Sequence, residues 1–166
     1  MPACAALRYG FDRVEDGKVF EGSYWHTTIA SEHTHGGSGA ARIEMMLDAY
    51  SSATGSLVIR LCGLSPPADA HIDVSGRALS AWLFVETRAE ISDSACALEA
   101  NTTLATAPTI SSPGVDVKVG EWMHVHTDPL PAGTGIATLI VSCNLYFPGG
   151  KPEVAPRIYA DDLSIE

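Results

Sequence analysis

The chain has 166 residues, 46% hydrophobic and 18% charged, with 20 acidic against 10 basic side chains and a formal net charge of −10. One domain with a sizeable core fits that length, while the acidic balance repels a phosphate backbone and argues against nucleic acid as a partner. No apolar run is long enough to span a bilayer as a helix, and the start, MPACAALRYG, has neither a basic leader nor an apolar signal core, so it reads as a start placed on a mature domain.

Along the chain the pattern is period two, the mark of half-buried strands whose side chains alternate between faces. In ARIEMML (41–47), Ile43, Met45 and Leu47 alternate with Arg42, Glu44 and Met46. The longer stretch ARIEMMLDAYSSA can also be written as an amphipathic helix, the one place where helix competes with strand. SLVIRLC (56–62) sets Leu57, Ile59 and Leu61 against Val58 and Arg60. RALSAWLFVE (77–86) sets Leu79, Ala81, Leu83 and Val85 against Ser80, Trp82, Phe84 and Glu86. EWMHVHT (121–127) alternates Met123 and Val125 with Trp122, His124 and His126. GIATLIVSCNLYF (135–147) sets Leu139, Val141, Cys143, Leu145 and Phe147 against Thr138, Ile140, Ser142, Asn144 and Tyr146.

The closing RIYADDLSIE, read as one regular strand, puts Tyr159, Asp161, Leu163 and Ile165 on a common face. Leu163 and Ile165 want the core, so Asp161 is expected to point inward, and a buried carboxylate needs a partner. Clusters such as GLSPPADAH, TISSPG, DPLPAGTG and FPGGKPEVAP supply turns between the strands. Eight to ten strands at this spacing imply an all-β sandwich or barrel.

The four cysteines, Cys4, Cys62, Cys96 and Cys143, form no C-x-x-C pair, so a zinc ribbon or thioredoxin-type site is not suggested. Their even number and wide spacing, with scarce lysine, fit two disulfides in an oxidising compartment; buried free thiols are the alternative. Of the three possible pairings, Cys96 with Cys143 and Cys4 with Cys62 is expected, because the first two lie mid-strand and the others nearer strand ends.

Several landmarks together resemble the jelly-roll carbohydrate-binding modules of the galactose-binding-like group. FDRVEDG is similar to their opening strand and turn, HTHGGSGAARIEM to their small-residue loop and following strand, and LSAWLFVE to their central strand. GEWMHVHTDPLPAG resembles their Trp-led strand, and IYADDLSIE their closing strand. The landmarks run from about Phe11 to Ile165 in the expected order. The four cysteines and two His-x-His pairs depart from that pattern. The resemblance implies a jelly-roll β-sandwich of two antiparallel sheets over residues 1–166.

The resemblance also implies a structural calcium site at Asp161, far from any sugar. Calcium takes six to eight oxygens, mixing carboxylates with carbonyls. Glu15 could supply a second carboxylate, with Asp12 and Asp16 as substitutes, and the loop at Gly37–Ser38 could turn carbonyls inward. The competing reading pairs Asp161 with Arg42 or Arg157, or leaves it exposed.

For the sugar, the outward faces offer Arg60, Trp82, Phe84, His124, Asn144 and Tyr146. Aromatic rings give flat platforms for the C–H face of a sugar, and polar neighbours fix its hydroxyls. Against this, a Trp in a sheet is more often core or covered by a loop. Trp122 reads as a packing residue, and Trp25 and Tyr50 as loop-edge candidates.

His33-x-His35 and His124-x-His126 each put two imidazoles on one face if extended, as in metal-binding cupin barrels. The companion Glu and second histidine block of that group are missing, so solvated or hydrogen-bonded histidines are expected. No nucleophile elbow, phosphate loop or H-E-x-x-H is present. Glu86, Glu44 and Asp48 show no spacing that singles out a glycosidase pair. The expected function is therefore non-catalytic. It is a secreted carbohydrate-binding module, monomeric or part of a larger multi-domain protein, that targets a parent protein to polysaccharide or glycan. The alternative is a structural or adhesive extracellular β-sandwich that contacts protein partners or self-assembles.

Overall fold

The computed structural model describes residues 8–9, 27–48, 50–62, 69–106 and 108–166. Among them lie thirteen strands: β1 (Arg8–Tyr9), β2 (Thr27–Ala30), β3 (Ala40–Glu44), β4 (Met46–Leu47), β5 (Ser52–Arg60), β6 (Ile72–Asp73), β7 (Leu79–Glu86), β8 (Ser92–Thr102), β9 (Thr109–Ser111), β10 (Val115–Asp116), β11 (Trp122–His126), β12 (Gly135–Tyr146) and β13 (Arg157–Ile165). Six form one sheet in the order β11-β7-β13-β3-β2, with β1 also paired to β13. Seven form the other in the order β10-β8-β12-β5-β4, with β6 added to β12 and β9 to β8. The pairings between named strands are antiparallel. This is the expected two-sheet sandwich.

The core lies between the sheets and follows the alternation read from the sequence. Leu79, Ala81, Leu83, Val85, Met123 and Val125 are buried from one side, and Leu57, Ile59, Leu98, Leu139, Val141 and Leu145 from the other. Each large aliphatic side chain so buried stabilises by about 1.5–3 kcal/mol against leaving it exposed. Among its described residues the ambiguous stretch at 41–53 holds β3, β4 and the start of β5, and no helix. Asp48 accepts the backbone N–H groups of Tyr50 and Ser52 at 2.8 and 2.9 Å and turns β4 back onto β5. That turn is local Asx chemistry, which outcompetes continuation as a helix.

β13 departs from the expected regular alternation. Its pairing with β7 shifts register between Asp161 and Ser164, and Asp162 has φ +47°. A bulge of this kind re-aims the side chains that follow it. Ile158 and Ala160 face the core before the bulge, and Leu163 and Ile165 after it. Asp161 and Tyr159 therefore lie on the outward face of the six-stranded sheet, opposite the side expected for Asp161.

Cys96 and Cys143 are directly opposed on β8 and β12 and form a disulfide, as expected, with Cα atoms 4.1 Å apart. Cys62 is also disulfide-bonded, and no described cysteine is free. Cys4, the partner expected for it, lies outside the described residues.

Candidate functional site

The outward face of the six-stranded sheet is built in rows by strand register. Trp122 on β11 opposes Phe84 on β7, which opposes Tyr159 on β13, which opposes Arg42 on β3. The next row runs His124, Trp82, Asp161, and the one after it His126, Ser80, Ser164. Two rows thus bring four aromatic rings and an imidazole onto one face, because β11, β7 and β13 are neighbours and every second residue points the same way.

The chain from Ser31 to Gly39, between β2 and β3, folds back over this face as a strap. The His33 ring stacks on Phe84 at 4.2 Å between centroids and meets Tyr159 edge-on at 4.8 Å. The His35 ring stacks on Trp82 at 3.9 Å and meets Trp122 edge-on at 5.5 Å. Ala30, Ala40, Phe84 and Tyr159 consequently form a second, smaller buried cluster on the outward side, with Trp122 packed against it. Phe84 is only 9% exposed and Tyr159 1%. Trp82 and Trp122 stay half-buried, and His124 and His126 are exposed along edge strand β11. His124 also stacks on Trp82, at 4.7 Å. Burial against its neighbours, with His126 beside it, holds its imidazole below the ordinary value and favours the uncharged ring.

Asp161 fastens the strap. Its Oδ2 accepts the backbone N–H of His35 at 2.8 Å and of Gly36 at 3.0 Å, while Oδ1 accepts that of Asp162 at 2.7 Å. The bulge makes the third bond possible by turning the Asp162 amide toward its neighbour's side chain. A contact of 3.0 Å between the His35 ring Nδ1 and Asp162 Oδ2 adds a second tie. A Cβ on Gly36 would lie 2.7 Å from Asp162 Oδ2, so a larger residue there would displace the Asp162 carboxylate. Asp161 is 0% exposed. Burial pushes its carboxyl above the ordinary carboxylate range, and the three N–H donors offset that only in part.

These donors, and neither arginine, satisfy Asp161: Arg42 pairs with Glu32 at 3.0 Å and Arg157 reaches Glu86 at 3.7 Å. Both carboxylate oxygens thus have N–H donors. Of the expected calcium set, Glu15 and Asp12 lie outside the described residues, as does the substitute Asp16. Ser38 follows Gly36 and Gly37 in the strap. No group of three metal-ligating side chains is present among the described residues.

The expected sugar contacts divide between two faces. Trp82, Phe84 and His124 share the strapped face. Arg60 lies on β5 of the other sheet opposite Thr138, while Asn144 and Tyr146 lie on β12 opposite Thr54 and Ser52. The period-two pattern identifies outward residues but not which sheet carries them. Tyr146, 43% exposed, stands on a surface of small and aliphatic side chains such as Ser56, Ser142, Val58 and Ile140. Phe84, expected as a ligand contact, is instead packed under His33. Trp25 lies outside the described residues, and Tyr50 is exposed in the turn before β5. Glu86, far from pairing with another carboxylate, accepts the Tyr159 hydroxyl at 3.1 Å and lies 3.8 Å from the His33 Nε2.

No protein-family model matches the chain, and no curated protein matches it in sequence. Solved structures do. The CBM22-1 xylan-binding domain of Paenibacillus barcinonensis Xyn10C superposes with a TM-score of 0.58 at 11% identity, over 100% of this chain and 96% of that one. The CBM27-1 domain of Caldicellulosiruptor saccharolyticus, solved with mannohexaose, gives 0.51 at 16% identity and 96% of both chains. A structure from the β-sandwich superfamily of carbohydrate-binding modules gives 0.54 at 14% identity; 86% of this chain spans about half, 53%, of that longer one. At such identities the likeness is one of fold, and it is to carbohydrate-binding modules.

Proposed function

We propose that this domain is a non-catalytic carbohydrate-binding module, and that a polysaccharide chain docks on the outward face of the six-stranded sheet, along β11. The observation that carries this reading is the placement of Trp82, Trp122 and His124 side by side on one face, half-buried or exposed. Flat rings at neighbouring strand positions suit the C–H faces of successive sugar units. Ser164 and His126 on the same face offer hydrogen-bonding groups for hydroxyls, while Ser80 beside them is buried and bonded to Ser164. The shared fold with modules described as binding xylan and mannohexaose supports the ligand class. The disulfides support secretion, where such bonds persist, and a module of this kind serves a larger parent protein.

Calorimetric titration with xylo-oligosaccharides and mannohexaose, backed by a glycan array, tests the reading. Binding that Trp122→Ala weakens by about 1–3 kcal/mol, from the area a large ring buries, supports it. The buried Phe84–Tyr159 cluster favours one other reading, a structural module whose aromatics only pack; an empty array together with a folded protein would establish that. Structural calcium is the finer part of the proposal. The adjacent carboxylates of Asp161 and Asp162 support it. A melting temperature that falls on chelation and returns with added calcium supports the ion; an unchanged melt removes it.

A further inference from the structure

We propose that the strap at residues 31–39 competes with the glycan for the same aromatic surface, so that sugar binds fully only when the strap lifts from its latch at Asp161. This rests on the reading of the aromatic face as the sugar site. The geometry is that of a ligand already in place. The His35 ring lies 3.9 Å from the Trp82 ring with an interplanar angle of 13°, and the His33 ring 4.2 Å from Phe84 at 24°. That separation and near-parallel stance are those of stacked rings, which leave no room for a sugar over the same ring face. A sugar unit and an imidazole cannot both occupy one ring face.

The strap is also fastened in a way that can be undone. Its ties to the sheet centre on two backbone N–H groups on Asp161 and the His35 imidazole on Asp162, with Glu32 paired to Arg42 at 3.0 Å and His33 3.8 Å from Glu86. Gly36, Gly37 and Gly39 surround them, and Gly37 already adopts φ +64°, so the segment can change course without side-chain clash. No apolar side chain between Ser31 and Gly39 anchors it to the core. Lifting it would uncover Phe84 and Tyr159 and lengthen the platform from the β11 edge across β7 to β13. The strap thereby sets both affinity and the number of sugar units that fit. With the strap down the Trp82 ring is stacked by His35 and His124, and only Trp122 and His124 at the β11 edge stay open to a sugar.

Because the apparent affinity falls by the fraction of molecules that are open, removing the competing rings should tighten binding. A single aromatic stack of ordinary strength corresponds to about 2- to 10-fold. The test compares the intact domain with His33→Ala/His35→Ala, which keeps the backbone latch but deletes both rings, and with Asp161→Asn, which keeps the rings but weakens the latch. Two quantities are read: solvent exchange of the Trp82 indole N–H by NMR, assigned through Trp82→Phe, and the dissociation constant for xylo-oligosaccharides and mannohexaose. Faster indole exchange with about 3- to 10-fold tighter binding in the double-alanine variant, and a change of the same sign in Asp161→Asn, is the expected result. Faster exchange with unchanged or weaker binding overturns the proposal, since the imidazoles would then be bystanders or part of the platform. Unchanged exchange in both variants overturns it as well, since the strap would not shield Trp82. Faster exchange with no glycan bound by any form refutes the sugar site itself, and competition falls with it. Asp161→Asn could unfold; the double-alanine variant alters only side chains of the strap and decides the matter alone.

Discussion

Replacing Asp161 by Asn removes a charge while keeping nearly the same shape. In the native protein one oxygen accepts two strap N–H groups and the other accepts the Asp162 N–H. An amide has a single carbonyl oxygen. If it faces the strap, its NH2 is forced against the Asp162 N–H; if it is turned over, two strap donors lose their acceptor. Bonds to a charged acceptor contribute about 1.5–3 kcal/mol each, and a buried donor left unpaired costs about 1–3 kcal/mol. Against that, the variant no longer buries an anion. A net loss of about 1–3 kcal/mol at neutral pH is expected, by denaturant unfolding followed through tryptophan fluorescence.

The pH dependence gives the sharper result. The folded-state carboxyl sits above its unfolded value, chiefly through burial. Its contribution to stability is therefore fully present below the unfolded carboxyl value, near 3.9, and is lost as pH rises through the folded one. The advantage of the native protein over Asp161→Asn should be largest at acid pH and shrink toward neutrality. An advantage that grows with pH would refute the reasoning, because the three donors would then outweigh burial.

Reduction of the Cys96–Cys143 bridge, which closes a loop with sequence separation 47, should cost about 4 kcal/mol on a chain-entropy account, read by unfolding Cys96→Ser/Cys143→Ser beside the native protein. Non-reducing mass spectrometry should find two intramolecular disulfides and no alkylatable thiol in the unfolded chain. Trp82→Ala should lower glycan affinity by about 1–3 kcal/mol and also lower stability by less than the 3–5 kcal/mol of a fully buried tryptophan, because its ring is half-buried between the stacks of His35 and His124; calorimetry and thermal melts separate the two effects. Chelation, followed by thermal melting of the native protein and of Asp161→Ala, should lower only the native melt if Asp161 holds calcium.

The strands β5, β7, β11 and β12 were legible because one face of each packs in the core, and burial imposes strict alternation on the sequence. β13 was not, because a bulge changes the face in mid-strand without interrupting the run of strand-forming residues. The signal for it was the Asp161–Asp162 pair: aspartate is among the few side chains tolerated at positive φ, and two together inside a strand are otherwise unfavourable. Trp82 was correctly placed outward, since Ala81 and Leu83 fix its face. Arg60, Asn144 and Tyr146 were outward too, but alternation within one strand carries no information about which sheet that strand joins. The strap illustrates the same limit. His33-x-His35 announced two imidazoles on one side of an extended segment, yet only the pairing of β2 with β3 and the donors offered to Asp161 bring them down on Phe84 and Trp82.

The central claim, a glycan docked on the six-stranded sheet, is tested most directly by an NMR titration of the native domain with xylo-oligosaccharides and mannohexaose, following the assigned indole N–H signals of Trp82 and Trp122. Saturable shifts of both, with neighbouring changes in His124 and in the strap amides of His35 and Gly36, are the expected result. Shifts confined to β5 and β12 around Arg60, Asn144 and Tyr146, or no shift with any glycan bound by the domain, would contradict it.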